Sequence, residues 1–311
     1  MLVFGMPQLV QAAPIALIGR DTAIYRFNAD GNGLMEVFPN QVGMIVGITR
    51  VPPGVALSGC NTGDVIANEG GPASTRRIWR IDNASCGTPT LVQIGQLSHG
   101  PSSIAFANGR FFGIGSATVF REFSPVTFQQ IGSPVTLSLT AHTGGLSFDG
   151  IDSWYALGGV DTTDRLFKFA DPPNDLGLVE VGDPGIGVGD CGLEFWGSSL
   201  WGAFRGPSDQ LYVGTFDLQS GIFTTQWQRS QIGTHTLGIA ILPEISAIEG
   251  DINCDGKSDG LDVAPFVLAL TNPIAFGTDL PECNVLNADL TADCTVNESD
   301  IQPFVDTLLG S

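Results

Sequence analysis

Residues 144–183, GGLSFDGIDSWYALGGVDTTDRLFKFADPPNDLGLVEVGD, contain four short apolar segments separated by Gly, Asp and Pro. Segments of alternating or fully apolar character that are bounded by turn residues predict β-strands. Four strands in a unit of roughly 40 to 50 residues are typical of one blade of a β-propeller.

Two short patterns each recur five times, which predicts five such units. The first is an aliphatic residue, an aromatic residue and usually a base; its copies begin at Ile24, Ile78, Val119, Leu166 and, more loosely, Leu211. The second usually starts with Gly and continues with an aliphatic residue; its copies begin at Gly47, Ser103, Gly145, Gly192 and Gly238.

The two ends of this repeat complement each other. Residues 237–242 supply an innermost strand with no successors, whereas residues 15–38 supply three strands with no innermost strand before them. Joined, they would form the fifth blade. We therefore expect a mainly β protein with a five-bladed propeller over residues 14–243, which resembles the secreted bacterial propellers of the NHL and related repeat type. That resemblance implies a fold but no function, because propellers host many activities.

The C-terminal region contains a calcium-loop pattern. Residues 251–262, DINCDGKSDGLD, place oxygen-bearing side chains at positions 1, 3, 5, 9 and 12, which are Asp251, Asn253, Asp255, Asp259 and Asp262. The carbonyl of Lys257 is available at position 7, and Gly256 at position 6 permits the sharp turn. A hard cation with six to eight oxygen ligands needs this spacing.

A second copy follows in residues 289–300, DLTADCTVNESD. Its expected ligands are Asp289, Thr291, Asp293, the carbonyl of Thr295, Asn297 and Asp300. Thr291 offers only a neutral hydroxyl, and Cys294 replaces the glycine at position 6. We therefore expect two Ca²⁺ sites, of which the second is weaker.

Each loop is followed by a predicted short helix, with Pro265 or Pro303 in its first turn. Duplicated loops of this kind resemble a type I dockerin, a small α-helical module, over about residues 249–311. The resemblance implies two bound calcium ions and a cohesin-type protein partner. Positions 10 and 11, Gly260-Leu261 and Glu298-Ser299, depart from the repeated hydroxyl pair of cellulosomal dockerins. We assign residues 244–250 to a linker and 251–311 to the module.

The three histidines share one position in the repeat. His99, His142 and His235 each lie four or five residues before the aliphatic residue of the second pattern, in the connection that enters an innermost strand. They could converge to bind a transition metal or act as acid and base, or each could simply brace a turn. Glu194 and Asp149 are candidates for a carboxylate pair or for a polar rim.

Charge and cysteine content limit the function classes. The chain of 311 residues has 32 acidic and 13 basic side chains, a net charge of −19, which argues against nucleic acid and anionic membranes as partners. Its first nineteen residues are uncharged but interrupted by Pro7 and Pro14, which disfavours a membrane span. We interpret residues 1–13 as a signal-peptide remnant, with a native strand as the alternative.

Six cysteines agree with export, and two of Cys254, Cys283 and Cys294 would staple the small tail. The resulting hypothesis is a secreted or cell-surface calcium-binding protein. Its tail attaches to a cohesin-type partner or a surface, and its propeller binds an unidentified ligand, with carbohydrate as the candidate class. The alternative hypothesis is a glycoside hydrolase or polysaccharide lyase, with its site on the propeller face near His99, His142 and His235.

Overall fold

The structure, a computed structural model, divides into two compact units, Ile15–Leu242 and Pro243–Ser311. It describes residues 15–20, 23–28, 35–38, 43–70, 76–115, 118–138, 144–158, 165–170, 178–185, 190–206, 210–229, 236–243, 245–246 and 248–310. Residues 1–14 lie outside these ranges, and so does the interpretation of residues 1–13 as a signal-peptide remnant.

The described part of the first unit forms twenty β-strands in five antiparallel sheets of four. In chain order they are β1 (Ile15–Arg20), β2 (Ala23–Asn28), β3 (Met35–Phe38), β4 (Ile45–Arg50), β5 (Val65–Glu69), β6 (Arg77–Asp82), β7 (Thr90–Gln96), β8 (Ser103–Ala107), β9 (Arg110–Ile114), β10 (Val119–Phe123), β11 (Gln130–Thr136), β12 (Gly144–Phe148), β13 (Ser153–Gly158), β14 (Arg165–Ala170), β15 (Val179–Gly182), β16 (Cys191–Trp196), β17 (Ser199–Arg205), β18 (Leu211–Phe216), β19 (Phe223–Arg229) and β20 (Thr236–Leu242).

The five sheets are the blades of a propeller. Blades 1 to 4 are β4–β7, β8–β11, β12–β15 and β16–β19, and blade 5 has the order β20-β1-β2-β3. The innermost strands β4, β8, β12, β16 and β20 contact one another in a closed cycle. The predicted five-bladed, mainly β architecture is confirmed.

Blade 5 closes the ring by hydrogen bonds between the two ends of the unit. Strand β20 pairs antiparallel with β1, in a register that runs from Ile15 opposite Leu242 to Gly19 opposite Gly238. The three strands from residues 15–38 therefore complete the blade that β20 begins, as the sequence predicts.

The two repeated patterns occupy equivalent strands in every blade. The aliphatic-aromatic pattern lies on the third strand of each blade, and the Gly-aliphatic pattern lies on the innermost strand. Aromatic side chains fill the space between blades. Between blades 2 and 3, for example, the buried Trp154 ring lies 5.1 Å from the rings of Phe112 and Phe120, both at nearly perpendicular angles.

The glycines of the second pattern let the innermost strands approach closely. A Cβ atom at four of these positions would lie 2.5–3.1 Å from a backbone nitrogen of the next blade's innermost strand. The pairs are Gly47 with Ile104, Gly145 with Leu193, Gly192 with Ile239, and Gly238 with Ile48. Because backbone cannot move aside as a flexible side chain can, a Cβ atom would clash with it at Gly192 and Gly238, at 2.5 Å, and would fit only tightly at the other two positions, at 3.1 Å.

The second unit contains three α-helices, α1 (Val263–Thr271), α2 (Pro273–Asp279) and α3 (Ile301–Leu309), and 3₁₀ turns at Gly260–Asp262, Val285–Ala288 and Glu298–Asp300. Helices α1 and α3 follow the two calcium-loop sequences as predicted, and their Phe266 and Phe304 rings stack at 4.1 Å. No helix among the described residues is long and apolar enough to cross a membrane.

Helix α2 was not predicted from the sequence. It starts after Asn272, whose side chain accepts the Ala275 N–H at 3.1 Å, and Pro273 occupies its first turn. An Asn cap followed by Pro is a strong helix start. The helix is too short to show a clear apolar period, so the capping residues are its main signal in the sequence.

A disulfide joins Cys254 to Cys283 in the second unit, which confirms that two tail cysteines staple this small domain. In the described part of the propeller, Cys60 and Cys191 are not joined in a disulfide. The staple compensates for a core that has few apolar side chains to bury.

The glycine positions generate a stability prediction. We expect Gly192→Ala to destabilise the propeller by about 3 kcal/mol, because the new Cβ would lie 2.5 Å from the Ile239 nitrogen. Gly115→Ala is the control, since a Cβ there would meet its neighbours only at 3.7 Å or more. Urea unfolding monitored by tryptophan fluorescence measures both variants. Equal midpoints for the two would contradict the close-approach argument.

Candidate functional site

The first calcium-loop sequence is organised by the carboxylates at its two ends. Asp251 accepts the N–H of Asp255 on Oδ1 and of Gly256 on Oδ2, each at 3.1 Å. Asp262, which is completely buried, accepts three backbone N–H groups at 2.8–2.9 Å, from Ile252, Asn253 and Asp259. The chain is thereby wrapped around positions 1 and 12 of the loop.

The second loop repeats this hydrogen-bond scheme. Asp289 accepts the N–H of Asp293 at 3.1 Å and of Cys294 at 2.7 Å. The fully buried Asp300 accepts the N–H groups of Thr291 and Asn297, each at 2.9 Å. The two predicted loops therefore have equivalent backbone conformations, although their sequences differ at several positions.

Both loops adopt left-handed backbone conformations at the same two positions. Position 4 has φ values of 59° at Cys254 and 55° at Ala292, and position 6 has values of 84° at Gly256 and 68° at Cys294. A non-glycine residue pays a steric cost in this region. The predicted penalty at Cys294 thus corresponds to an observed conformation.

Thr291 differs from its counterpart Asn253 in how it uses its side chain. The Thr291 hydroxyl lies 2.9 Å from Asp300 Oδ1 and 3.3 Å from Asp289 Oδ1, and donates to these carboxylates. Asn253 Oδ1 instead accepts the Asp255 N–H at 2.9 Å. Position 3 therefore presents an amide oxygen in the first loop and a hydroxyl donor in the second.

Three of the four acidic groups at the loop ends, Asp251, Asp262 and Asp300, are buried, and Asp289 is half-buried. Asp251 is 3% exposed, and burial raises its pKa, an effect opposed by the N–H of Gly256 and reinforced by the charge of Asp262. Among the described residues, no three carboxylates of one loop bring oxygen atoms within 4.8 Å of one another. The remaining candidate ligands are in place along the loops, but their side chains bond to backbone N–H groups. For example, Asp255 accepts from Lys257 at 3.0 Å and Asp293 from Thr295 at 2.8 Å.

Two buried asparagines position the first loop, and sequence reasoning missed both. Asn287 donates to the Asp251 carbonyl at 3.1 Å and accepts the Ser246 N–H at 2.8 Å. Asn284 donates to the Pro243 carbonyl at 2.9 Å. The bond to Ser246 lies in the segment that the sequence assigned to a linker at 244–250, and the bond to Pro243 lies immediately before it. Neither asparagine belongs to a repeated pattern, so no sequence signal distinguished them from loop residues.

Of the three histidines, His99 lies in the connection that enters β8. His142 and His235 fall outside the described residues, so their side chains are not placed. His99 is exposed, and its Nδ1 lies 3.2 Å from Ser98 Oγ. Desolvation and then the charges of Arg121 and Arg76 lower its pKa. These two guanidinium groups would oppose a metal cation at His99.

Glu194 is held inside the ring of innermost strands. Its strand, β16, is not adjacent to β4 in the cycle, yet Thr49 of β4 donates to Glu194 Oε2 at 3.1 Å. Burial raises the pKa of Glu194 to about 8, and the Arg50 charge and the Thr49 hydrogen bond act in the opposite direction. Arg50 also lies over the Trp196 ring at 4.6 Å. Glu194 thus forms part of a polar contact across the propeller axis.

Asp149, the other candidate carboxylate, has a structural role in a turn. Its Oδ1 accepts the backbone N–H groups of Ile151, Asp152 and Ser153 at 2.9–3.0 Å. An aspartate that binds the backbone of the next residues is the common way to stabilise such a turn. The described geometry shows no contact between Asp149 and Glu194.

Comparison with known proteins shows no family for this chain. No protein-family model matches the sequence, and no curated protein matches it. Among solved structures, a chain from a nidogen/laminin complex is similar with a TM-score of 0.48 and 12% identity, over 74% of this chain and 98% of that one.

Two putative 6-phosphogluconolactonases are also similar. The one from Bacteroides fragilis has a TM-score of 0.40 and 12% identity, over 73% of this chain and 85% of that one. The one from Bacteroides uniformis has a TM-score of 0.36 and 15% identity, over 71% and 69%. Identities this low carry no conclusion about activity.

The raised pKa of Glu194 predicts a pH dependence of stability. A carboxyl group that binds its proton more tightly in the folded state stabilises the fold below its unfolded pKa, and this contribution is lost as pH rises through about 8. We expect Glu194→Gln to be the more stable protein at pH 9, by roughly 1 kcal/mol or more, and to lose this advantage at pH 5. Urea unfolding of both proteins at pH 5, 7 and 9 measures the difference. A difference that does not change with pH would contradict the burial argument.

Proposed function

We propose that this is a secreted or cell-surface binding protein whose C-terminal unit holds two calcium ions. The observation that carries the proposal is the matching pair of loops, in which position 1 accepts the N–H groups of positions 5 and 6, and position 12 accepts those of positions 3 and 9. In each loop, the side-chain oxygen atoms of positions 1, 3, 5, 9 and 12 and the backbone carbonyl of position 7 would be the ligands of a hard cation. The first set is Asp251, Asn253, Asp255, Lys257, Asp259 and Asp262, and the second is Asp289, Thr291, Asp293, Thr295, Asn297 and Asp300.

Charge and burial support a bound cation. Asp251, Asp262 and Asp300 are nearly or completely buried, and each loop carries further carboxylates with no basic side chain except Lys257. The positive charge of a bound Ca²⁺ would offset the repulsion among these carboxylates. Exposed side chains such as Asp255 would turn inward to ligate the ion. Calcium binding would thereby stabilise the C-terminal unit.

We further propose that this unit attaches the chain to a protein partner, of the cohesin type or on a cell surface. Helices α1 and α3 each expose apolar side chains one turn apart. These are Val263 and Val267 on α1, at 44% and 51% exposure, and Ile301, Val305 and Leu309 on α3, at 43%, 39% and 75%. Exposed apolar side chains repeated on two equivalent helices are typical of a binding surface.

The propeller is proposed as the ligand-binding unit, with carbohydrate as the candidate class. The described residues favour binding over glycoside hydrolysis or polysaccharide cleavage. Asp149 is committed to a turn, and Glu194 is 8% exposed inside the ring. A pair of accessible carboxylates on either side of a substrate, which hydrolysis needs, is not formed by these two residues.

Calorimetry with Ca²⁺ tests the proposal on the full chain. We expect two binding events, with Asp255→Asn weakening the tighter one and Asp293→Asn the weaker one, each by roughly tenfold or more. Both aspartates are exposed and occupy position 5, so these isosteric changes preserve the fold while they remove a charge from one site. Thr291→Asn should strengthen the weaker event by supplying an amide oxygen at position 3.

Asp279→Ala is the matched control, because it removes an exposed carboxylate from the same unit outside the loops. It should leave both events unchanged within about twofold. Absence of any calcium heat, or equal sensitivity of the two events to Asp279→Ala and Asp255→Asn, would refute specific calcium binding by the loops.

A further inference from the structure

Three basic side chains meet where blade 1 passes to blade 2, on a protein whose net charge is −19. Arg76 precedes β6, His99 lies between β7 and β8, and Arg121 lies on β10. From their arrangement we infer that Arg76, His99 and Arg121 form a binding site for an oxyanion group, a carboxylate or a sulfate, on a ligand of the propeller.

Ser98 fixes two of the three groups. Its carbonyl accepts Arg76 Nη1 at 2.9 Å, and its Oγ lies 3.2 Å from His99 Nδ1. Because Ser98 Oγ already accepts the Gln130 N–H at 2.9 Å, its own proton is available for Nδ1. The His99 ring then has its other nitrogen, Nε2, as an exposed N–H donor.

Two glycines, which add no side chain, lie beside the arginines. A Cβ atom on Gly100 would lie 3.1 Å from Arg76 Nε, and one on Gly115 would lie 3.7 Å from Arg121 Nη1 and 3.8 Å from the Gly100 carbonyl. Gly100 therefore lies against the Arg76 side chain, and Gly115 lies near both the Arg121 guanidinium and the Gly100 carbonyl.

Arg121 has donors to spare. Its one hydrogen bond among the described residues runs from Nη1 to the carbonyl of Val119, at 3.4 Å, and its Nε is buried without a partner there. No carboxylate in the described part of the chain forms an ion pair with it. By contrast, Arg77, Arg80, Arg110 and Arg165 all pair with Asp or Glu side chains.

The charges in this cluster repel one another, and an anion would relieve that repulsion. Desolvation and then the Arg76 charge lower the pKa of Arg121, and desolvation, Arg121 and Arg76 together lower that of His99. Guanidinium groups offer several N–H donors in one plane, which suits the oxygens of a carboxylate or sulfate. A transition metal, the alternative for a lone histidine, would meet two positive charges here.

This inference deepens the proposed ligand-binding role of the propeller and rests on it, but it is independent of the calcium loops. Acidic sugars carry a carboxylate on an otherwise neutral, polar ring, and sulfated sugars carry a sulfate instead. The site would therefore select acidic over neutral members of one sugar series.

The test uses the full-length protein and three probes, measured by calorimetry: trigalacturonate, its neutral methyl ester, and inorganic sulfate. We expect trigalacturonate to bind at least roughly tenfold more tightly than its methyl ester, and Arg121→Gln to abolish that preference. Sulfate should compete with trigalacturonate. Arg229→Gln, at the end of β19 in blade 4, removes the same charge elsewhere and should leave binding unchanged.

His99 provides a second measurement that does not require an arginine variant to fold. Its imidazole NMR signals, assigned with the exposed-site variant His99→Gln, should shift when trigalacturonate is added, and its pKa should rise. Binding that is equal for the acid and the ester, with no effect of Arg121→Gln, would overturn the oxyanion site and leave the propeller's binding role standing. Failure of both trigalacturonate and sulfate to bind would overturn the site as well.

Discussion

The close approach of five backbone strands around one axis is the constraint on which this propeller depends. At four of five blades, a Cβ atom on the pattern glycine would come within 2.5–3.1 Å of a backbone nitrogen of the next blade. The glycines therefore set the radius of the ring. The aliphatic residues that follow them, such as Ile48 and Ile239, are buried among the blades. The rest of each blade extends outward from that fixed starting point by strand pairing.

The same constraint explains why ring closure needs both ends of the unit. A gap at one blade would leave one innermost strand without its neighbour and expose the unpaired edges of two sheets. Pairing of β20 with β1 removes both edges. The polar bond from Thr49 to Glu194 then crosses the axis between non-adjacent strands, at 3.1 Å. The Glu194 carboxyl can occupy this buried position because it retains its proton, which avoids the cost of a buried charge. The raised pKa of Glu194 is the result.

Features with a period could be predicted from the sequence, and features that depend on contacts between unrelated positions could not. The blade count followed from two five-membered patterns, and the loop conformations followed from fixed spacing, including the left-handed residue at Cys294. The asparagines at 284 and 287 act through bonds to residues about 40 positions away, and the meeting of Arg76 with Arg121 joins two blades. A pairwise contact of this kind leaves no signal in a single sequence, because neither partner repeats.

The distribution of charge suggests how the two units divide their roles. The C-terminal unit contains closely spaced carboxylates, several of them buried, and only Lys257 as a base. If the loops bind calcium as proposed, a divalent cation would stabilise this unit, and its surface would then depend on calcium concentration. The propeller has nearly all the basic residues, and four of its arginines, Arg77, Arg80, Arg110 and Arg165, form ion pairs with neighbouring carboxylates. Arg121 has no carboxylate partner among the described residues and lies near Arg76 and His99, which adds positive potential at one place on an acidic protein. An anionic ligand would be repelled by the rest of the negatively charged surface and attracted to this position. The negative net charge would therefore make anion binding at this position more selective.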